Sequence, residues 1–322
     1  MNQFRSCFSG LAWQFVSYRM ASGVWNESCY GLNIRLFDSF CAENYPAGVG
    51  LTQEMVDIWC AKRDTETNSS NNARTAVVRA FIDYLQKRGL TDVVPPAVLW
   101  PGPSTCIPYA FEDNELMRFF HVCDSIPAFP GKRAAIRKFT IPVFFRLLYS
   151  TGMRAIEARM LKKDNVDLVH GVIDIQESKG HSQHYVVMHD TMTDLMARYG
   201  QAIAMLQPYR EYFFQSIKGS YYSNDWVSDN FRVLWDNANG PASPPVVYDF
   251  RHHYATTNIN SWVDDGFGFC DRLQYLSKSM GHSSIEATRY YYSIVPRLAD
   301  TLMDKTETGF NAIVPEVIDD AE

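Results

Sequence analysis

Near the end of the chain, a histidine and a group of tyrosines have the types and spacing to attack a phosphodiester. Gly281-His282-Ser283-Ser284 predicts a turn whose serine can cap the next helix, and Tyr290, Tyr291 and Tyr292 follow about two to three helical turns later. This spacing could bring an imidazole close to a phenol, one of the few means of attacking a phosphodiester without a metal. The turn alone is a weak signal, so the other groups that such a reaction needs decide the interpretation.

Arg154 is the first candidate for binding a phosphate. Gly152 is well placed to end the apolar helix predicted over 141–149, and Arg154 then begins a new helix, directed at whatever lies beyond that helix end. Guanidinium is planar, permanently charged and able to bind two phosphate oxygens. Glu157, one turn later, could hold Arg154 or satisfy the backbone donors of that turn. Taken alone, the segment is more typical of a surface Arg–Glu pair.

Lys179 lies at the tip of a β-hairpin predicted from two β-branched, alternating segments, 166–175 and 184–188. A lysine at a hairpin tip is usually solvated. It can also reach into a site formed by the rest of its domain and donate a proton to a leaving oxygen.

A second arginine follows in a helix predicted to start after Pro244-Pro245. Tyr248 and Arg251 are one turn apart, so both side chains share a face. His252 and His253 point elsewhere, because adjacent helical positions diverge. They lack the i, i+4 spacing of a metal pair, so a helix-interface or capping role is the preferred interpretation.

The overall charge of −6 does not exclude a nucleic-acid partner. Seven acidic and two basic residues after Tyr292 give −5 for the tail, which leaves −1 for residues 1–292. Local basic faces can therefore still exist.

Seven scattered cysteines, with no C-x-x-C pair, argue against a zinc ribbon and a disulfide framework. The chain has no run of 18 apolar residues and no N-terminal secretion signal. These features predict a cytoplasmic protein without a structural metal.

The chain is organised into two predicted domains. Apolar residues at helical spacing predict a helical bundle in residues 1–90, and five prolines in 91–108 predict a stiff linker. Residues 109–292 predict helices around the hairpin, followed by a tail, 293–322. The predicted fold class is mainly α with a small antiparallel sheet.

In this order and spacing, T-G-M-R-A-I-E, a hairpin lysine, D-F-R-H-H-Y-A-T and G-H-S-S-I-E-A-T-R-Y-Y resemble the tyrosine recombinase (phage integrase) family. The resemblance covers residues 109 to about 295 with four separate motifs, which makes it specific. The bundle is similar to that family's DNA-binding core-binding domain in position and helical character only.

The resemblance implies a role for each motif residue. Arg154 and Arg251 match the two arginines that clamp the scissile phosphate, and Lys179 matches the lysine that protonates the leaving 5′-oxygen. His282 matches a histidine that hydrogen-bonds the phosphate or the nucleophile. The nucleophile stands nine residues after that histidine, which selects Tyr291.

Tyr248 departs from the family pattern. The family usually has a histidine three residues before the second arginine, and here that position holds a tyrosine. A phenol can donate a hydrogen bond to a phosphate but is a poor general base at neutral pH. Tyr248 remains a predicted site residue, and His282 is then the remaining nearby imidazole that could accept the proton of Tyr291.

The resemblance implies a site-specific recombinase that integrates, excises or transposes a mobile element. Tyr291 would form a 3′-phosphotyrosyl link with double-stranded DNA, and the bond energy kept in that link makes a cofactor or metal unnecessary. The alternatives are a type IB topoisomerase and a catalytically silent DNA-binding protein of the same fold.

The resemblance also implies how DNA and other protomers are bound. The two domains would clamp a duplex, and the tail would dock on a neighbouring protomer in a tetramer on two DNA sites. Candidate phosphate contacts from the bundle are Arg63, Arg74, Arg79, Lys87 and Arg88.

Overall fold

The computed structural model describes residues 4–23, 25–102, 108–176, 183–241, 245–262, 268–282 and 284–292. The side chains of Ser28 and Tyr292 and the predicted tail, 293–322, lie outside this description. The chain divides into two compact units, Met1–Cys106 and Ile107–Glu322.

Helices are the only regular secondary structure in the described part of the first unit. Its elements are α1 (Ser9–Ala21), a π-helical turn (Glu27–Gly31), α2 (Leu32–Asn44), α3 (Gln53–Cys60) and α4 (Asn68–Gln86). Thr52 caps α3 by accepting a hydrogen bond from the Met55 amide, a start that the sequence predicts. The apolar faces of the helices meet in a core rich in aromatic rings, including Phe37 and Phe81.

The first part of the proline-rich segment 91–108 is bound to this unit. The Val94 amide donates to Oε1 of Gln53 at 2.8 Å, and the Leu99 amide donates to Oδ1 of Asn72 at 2.9 Å. Proline removes backbone donors, so amide side chains of the bundle satisfy the groups that remain. This stretch therefore lies on the bundle rather than acting as a spacer along its whole length.

The second unit contains eight helices and three strands among its described residues. The helices are α5 (Asp113–Asp124), α6 (Lys132–Thr151), α7 (Ala155–Met160), α8 (Asp190–Leu206), α9 (Asn224–Asn239), α10 (Asp249–Ser261), α11 (Phe269–Ser279) and α12 (Glu286–Tyr292). A short 3₁₀ turn, Lys163–Asn165, precedes the strands β1 (Val166–Asp167), β2 (Val172–Ile175) and β3 (His184–Val187). The strands form one antiparallel sheet in the order β1-β2-β3, so the predicted fold class is confirmed.

The segment 166–175 is two strands rather than the single strand that its alternation predicts. The carboxylate of Asp167 accepts hydrogen bonds from the amides of Val169 and His170, and Gly171 then adopts a φ of 67°. An aspartate that binds amides two and three residues ahead closes a turn. β1 therefore folds back on β2 before the predicted hairpin begins.

Most apolar side chains of the second unit form one cluster, here called the main core. It surrounds the second half of α6, where the side chains of residues 140–151 are buried or half-buried, as the sequence predicts for a central helix. The main core includes Phe119, Phe144, Phe145, Leu148, Met153, Trp235 and Phe250.

A smaller group of buried side chains, here called the Tyr291 cluster, joins α10, α11 and α12. Its members are Ala255, Ile259, Leu273, Leu276, Met280 and Tyr291. Helix α10 contributes Phe250 to the main core and Ala255 and Ile259 to the Tyr291 cluster. It therefore lies between the two clusters and carries Arg251 between them.

Candidate active site

Arg154 lies at the corner between α6 and α7. Gly152 ends α6 in the left-handed conformation (φ 63°), and Arg154 is the N-cap residue of α7. The Arg154 amide and Nη1 donate to the two carboxylate oxygens of Glu157 at 2.8 and 2.7 Å. The side chains are 14% and 0% exposed, so this is not the surface pair that the segment alone suggests. Arg154 Nη2 also donates to the Gly281 carbonyl at 3.2 Å.

Arg251 is almost completely buried, at 1% exposure. Its Nη1 donates to the Gly152 carbonyl at 2.7 Å and its Nη2 donates to the Met280 carbonyl at 2.6 Å. Burial lowers the pKa of Arg251, and the charge of Arg154 lowers it further, yet guanidinium stays protonated at neutral pH. Its buried Nε has no hydrogen-bond partner among the described residues. Two adjacent cations with a spare donor suit the binding of an anion.

Gly152 allows α10 to approach this corner closely. A Cβ at position 152 would lie 2.3 Å from Cδ1 of Tyr254, and the backbone there has positive φ. Glycine satisfies both constraints. The result is that Arg251, on α10, reaches the carbonyl of Gly152 from a position 99 residues later in the chain.

His282 is held through both ring nitrogens. Nε2 lies 2.9 Å from Nη2 of Arg251, and Nδ1 lies 2.7 Å from Oγ1 of Thr288. Arginine can only donate, so Nε2 of His282 must accept and Nδ1 must carry the proton, which it donates to Thr288. Both ring nitrogens therefore have a hydrogen-bond partner.

Tyr291 is 3% exposed and lies against the ring of His282, with centroids 6.0 Å apart and 10° between the planes. Burial raises the pKa of Tyr291 to about 12. The Tyr248 phenol adds to this increase and the Arg251 charge opposes it. The preceding Tyr290 is 40% exposed, so the two phenols differ sharply in environment.

Tyr248 lies at the start of α10 and is 48% exposed. It shares a side-chain hydrogen bond with Tyr291 that raises the pKa of the latter, because the bond favours the protonated phenol. The structure therefore places Tyr248 next to Tyr291, at the position where the family usually has histidine.

His252 is a site neighbour that the sequence interpretation placed elsewhere. Its ring lies 5.4 Å from that of Tyr291 and 5.0 Å from that of Tyr248, so His252 packs in the interface between α10 and α12, directly beside Tyr291. The preference for a packing role fits His253, which stacks on Tyr149 at 5.5 Å. Helical spacing did not reveal that His252 lies beside Tyr291, because it gives the direction of a side chain on α10 and not the position of α12.

His184 is a second neighbour that was missed. Gly281 has a φ of 62°, and a Cβ there would lie 2.5 Å from Cε1 of His184 on β3. Nε2 of His184 is 4.0 Å from Oε2 of Glu157. His184 thus packs beneath the Gly281 turn and beside the carboxylate that orients Arg154. The glycine before His282 was the available signal, since it marks a close approach.

The remaining predicted residues are Lys179 and the cations of the bundle. Lys179 lies outside the described residues. Arg63 and Lys87 are exposed on the first unit, Arg79 donates to the Pro96 carbonyl at 3.0 Å, and Arg88 is exposed beside the ring of Tyr84.

Arg74 is a correction, because it does not face solvent. It is 8% exposed, and its guanidinium donates to the Glu66 carboxylate at 2.6 and 2.8 Å and to the carbonyls of Trp59 and Ala61. The hydrogen bond from Arg74 lowers the pKa of Glu66 to about 2. These groups occupy the guanidinium, so Arg74 holds α3 and α4 together and is removed from the candidate phosphate contacts.

The described ranges lack two classes of feature. No group of three or more histidine, cysteine or carboxylate side chains there could hold a metal ion. None of the helices in the part of the chain that the structure describes is long and apolar enough to cross a membrane.

Known proteins resemble the chain in sequence and in structure. A Sinorhizobium fredii protein described as an integrase/recombinase, y4rB, is 26% identical over 266 residues, which cover 80% of this chain and 84% of that protein. The XerH site-specific recombinase in a post-cleavage complex with a palindromic difH substrate has a TM-score of 0.60 at 16% identity, covering 92% of this chain and 84% of that chain.

A third resemblance is to a lambda integrase tetramer bound to a Holliday junction. The TM-score is 0.59 at 12% identity, with 88% of this chain and 76% of that chain covered. At these identities the two structural likenesses show a shared fold.

The family model supplies the assignment. The model of the phage integrase family matches residues 110–296, which is more than half of the chain and contains every residue of the site described above. The chain belongs to the phage integrase family.

Proposed function

We propose that this protein is a site-specific DNA recombinase that cuts and rejoins DNA strands through a covalent link to Tyr291. The main support is the convergence of Arg154, Arg251, His282 and Tyr291 in one site. Arg154 donates to the carbonyl just before His282, Arg251 donates to His282, and Tyr291 lies against the His282 ring. These groups come from α7, α10, the turn after α11 and α12.

The proposed reaction is a transesterification. The Tyr291 oxygen attacks a phosphodiester, the bond to the 5′-oxygen breaks, and Lys179 protonates that oxygen, which leaves a 3′-phosphotyrosyl link. A 5′-hydroxyl from a second strand then attacks the link and releases Tyr291. Arg154 and Arg251 stabilise the charge that develops on the non-bridging oxygens, where fixed donors contribute most.

The bundle contributes phosphate contacts in this proposal. Arg63, Lys87 and Arg88 are exposed, and Arg79 is partly exposed, so each can offer a charge to the DNA backbone. Phosphate contacts of this kind position a protein on a duplex without reading its sequence. Binding should therefore weaken steeply as salt rises.

Assembly and location complete the proposal. Four protomers act on two DNA sites, and the tail 293–322 docks on a neighbouring protomer. The number of protomers is supported by lambda integrase, which shares this fold and forms a tetramer bound to a Holliday junction. The protein acts in the cytoplasm, and the described cysteines are free, which fits a reducing compartment.

Covalent capture tests the proposal directly. Duplexes that become attached to the protein are selected from a random pool, and a nicked version of the selected site then traps the intermediate. Wild-type protein and Tyr290→Phe should become attached to this DNA, because Tyr290 is not the nucleophile. Tyr291→Phe should form no covalent product, as measured by denaturing gel.

Attachment through Tyr290, or attachment by the Tyr291→Phe variant, would show that Tyr291 is not the nucleophile. The selected site also separates recombination from relaxation. Exchange of strands between two duplexes is expected. Relaxation of one supercoiled duplex without exchange would identify a topoisomerase instead.

A further inference from the structure

Attack by Tyr291 requires a group that removes its proton. Burial raises the pKa of this phenol to about 12, so very little phenolate exists at neutral pH. This question depends on the proposed function, in which Tyr291 is the nucleophile. Histidine is the usual acceptor in such a step because its pKa lies near neutrality.

His282 is poorly placed to accept that proton. Its Nε2 already accepts a hydrogen bond from Arg251, and its Nδ1 carries a proton that it donates to Thr288. Both ring nitrogens therefore already take part in hydrogen bonds. If Nε2 took up a proton, its N–H would point at the N–H of the cationic Arg251, and two donors would face each other. Repulsion between these donors opposes that protonation.

Tyr248 is also a weak acceptor. It shares a hydrogen bond with Tyr291, but a phenol oxygen takes up a proton far less readily than an imidazole nitrogen. Its contribution is to hold the nucleophile hydroxyl in place at the surface end of α10.

His252 has the chemistry that the other two residues lack. Its ring contacts Tyr291 at 5.4 Å, Tyr248 at 5.0 Å and Tyr290 at 6.3 Å between centroids. Its Nδ1 is buried and has no hydrogen-bond partner among the described residues. A buried polar atom without a hydrogen-bond partner is rare in folded proteins, and a catalytic role is one explanation for it.

We propose that His252 accepts the proton of Tyr291 when Tyr291 attacks the phosphodiester. The residue lies next to Arg251 in the chain, so one turn of α10 supplies a phosphate donor and a proton acceptor. His252 would thus perform the task for which position 248 has no histidine.

The step balances without another reactant. The bond between the Tyr291 oxygen and phosphorus forms as the bond between phosphorus and the 5′-oxygen breaks. The phenol proton goes to an imidazole nitrogen of His252, and the 5′-oxygen receives a proton from the Lys179 ammonium group. Rejoining reverses both transfers, and nothing is oxidised or reduced.

The charge state of His252 suits a base. The titratable and charged groups that face it are Asp249, Arg251 and Tyr248 on α10 and Tyr290 and Tyr291 on α12. Burial lowers the pKa of His252 and Arg251 lowers it further, against an opposing effect of Asp249. The imidazole is therefore unprotonated at neutral pH, and activity is lost as the pH falls through its pKa.

The test is the rate of covalent attachment to the nicked duplex, measured in a single turnover with protein in excess from pH 5 to pH 9. His252→Phe keeps a ring against Tyr291 but removes the nitrogens, and should slow attachment about 10²-fold or more at pH 7. Wild type should lose activity at acid pH with an apparent pKa below that of ordinary histidine. The attachment rate of the variant should instead rise steadily with pH, because the proton of Tyr291 is then lost only to solvent.

Two controls exclude a packing effect. His253→Phe, at the next position but stacked on Tyr149, should retain the wild-type rate. Replacing Tyr291 by a fluorinated tyrosine of lower pKa should shrink the defect of His252→Phe, since that phenol ionises without help. If His252→Phe folds poorly, His252→Asn replaces it, because asparagine is polar but has no basic nitrogen.

The outcomes separate this inference from the proposed function. His252→Phe could attach to DNA at the wild-type rate and lose activity at acid pH as wild type does, or fluorotyrosine could leave its slower rate unchanged. Either result would overturn the role of His252, while Tyr291 would remain the nucleophile. Failure of wild-type protein to capture any duplex from the random pool would instead refute the recombinase proposal itself.

Discussion

Arg154 and Tyr291 face the same site but are supported by apolar clusters of different sizes. Arg154 stands where α6 leaves the main core, and Glu157, with a fully buried side chain, fixes its direction. Tyr291 belongs to the Tyr291 cluster, which has six buried side chains among the described residues. Burial free energy grows with the apolar area removed from water, so the smaller cluster holds its members less strongly. Packing therefore holds Arg154 in position more strongly than it holds Tyr291.

Helix α10 joins these two regions, because its first turn reaches the main core through Phe250 and its later turns reach the Tyr291 cluster through Ala255. Arg251 lies between them and donates to carbonyls on both sides, at Gly152 and Met280. A guanidinium can bind both carbonyls and still present a donor to an anion, which a single ammonium group cannot do with the same geometry.

Arg251→Lys should produce the largest effect, since it breaks the connection between the two regions. Covalent attachment should fall by about 10²- to 10³-fold, the range seen when one donor that stabilises a transition-state oxyanion is removed. Single-turnover cleavage on the nicked duplex measures this loss. A variant with full activity would mean that charge alone, and not the fork of donors, is what the site requires.

A matched pair of leucines compares the two clusters directly. Leu148→Ala, in the main core, should lower the free energy of unfolding by about 2–5 kcal/mol. Leu276→Ala, in the Tyr291 cluster, should lower it less but slow covalent attachment, because small displacements of a nucleophile are costly. Thermal unfolding and cleavage are measured on both variants. Equal loss of stability would show that the two clusters form one cooperative core.

Gly152→Ala should have a smaller effect, which begins at the corner between α6 and α7. The left-handed backbone conformation alone costs an alanine about 1–2 kcal/mol. At Gly152 the new Cβ would also meet Tyr254, which should add to the loss of stability and displace α10. The control is Gly23→Ala, which has a φ of 69° with nothing within 4 Å of the new Cβ. Equal melting temperatures for the two variants would indicate that α10 adjusts at no cost.

Local patterns in the sequence predict much of the fold correctly. Gly152 marks the end of α6, Thr52 marks the start of α3, and the central position of α6 follows from its apolar residues on nearly all sides. Each of these depends on neighbouring residues only. The turn after Asp167 was missed because alternation along 166–175 resembles one strand, although the aspartate that closes the turn is visible in the sequence.

Side-chain environments were less predictable. Arg74 looked like one of several bundle cations, yet Glu66 and two carbonyls enclose it. His252 was expected at a helix interface or a cap, and the sequence did not show that the residue packed against it is Tyr291. In both cases the partner comes from another helix, and helical periodicity gives the direction of a side chain without saying what lies there.

The sequence by itself determined the mainly helical fold class and the family. Through the spacing from His282 it also predicts Tyr291 as the nucleophile, and it predicts Arg154 and Arg251 as the site arginines. Tertiary structure alone decided which nitrogens are occupied, since Arg154 meets the Gly281 carbonyl 127 residues later and Arg251 meets His282 31 residues later. It also decided that the His252 ring lies beside Tyr291 and that its Nδ1 has no hydrogen-bond partner among the described residues. The physical reason is that donors and acceptors are assigned by long-range packing, whereas motifs record only residue type and separation along the chain.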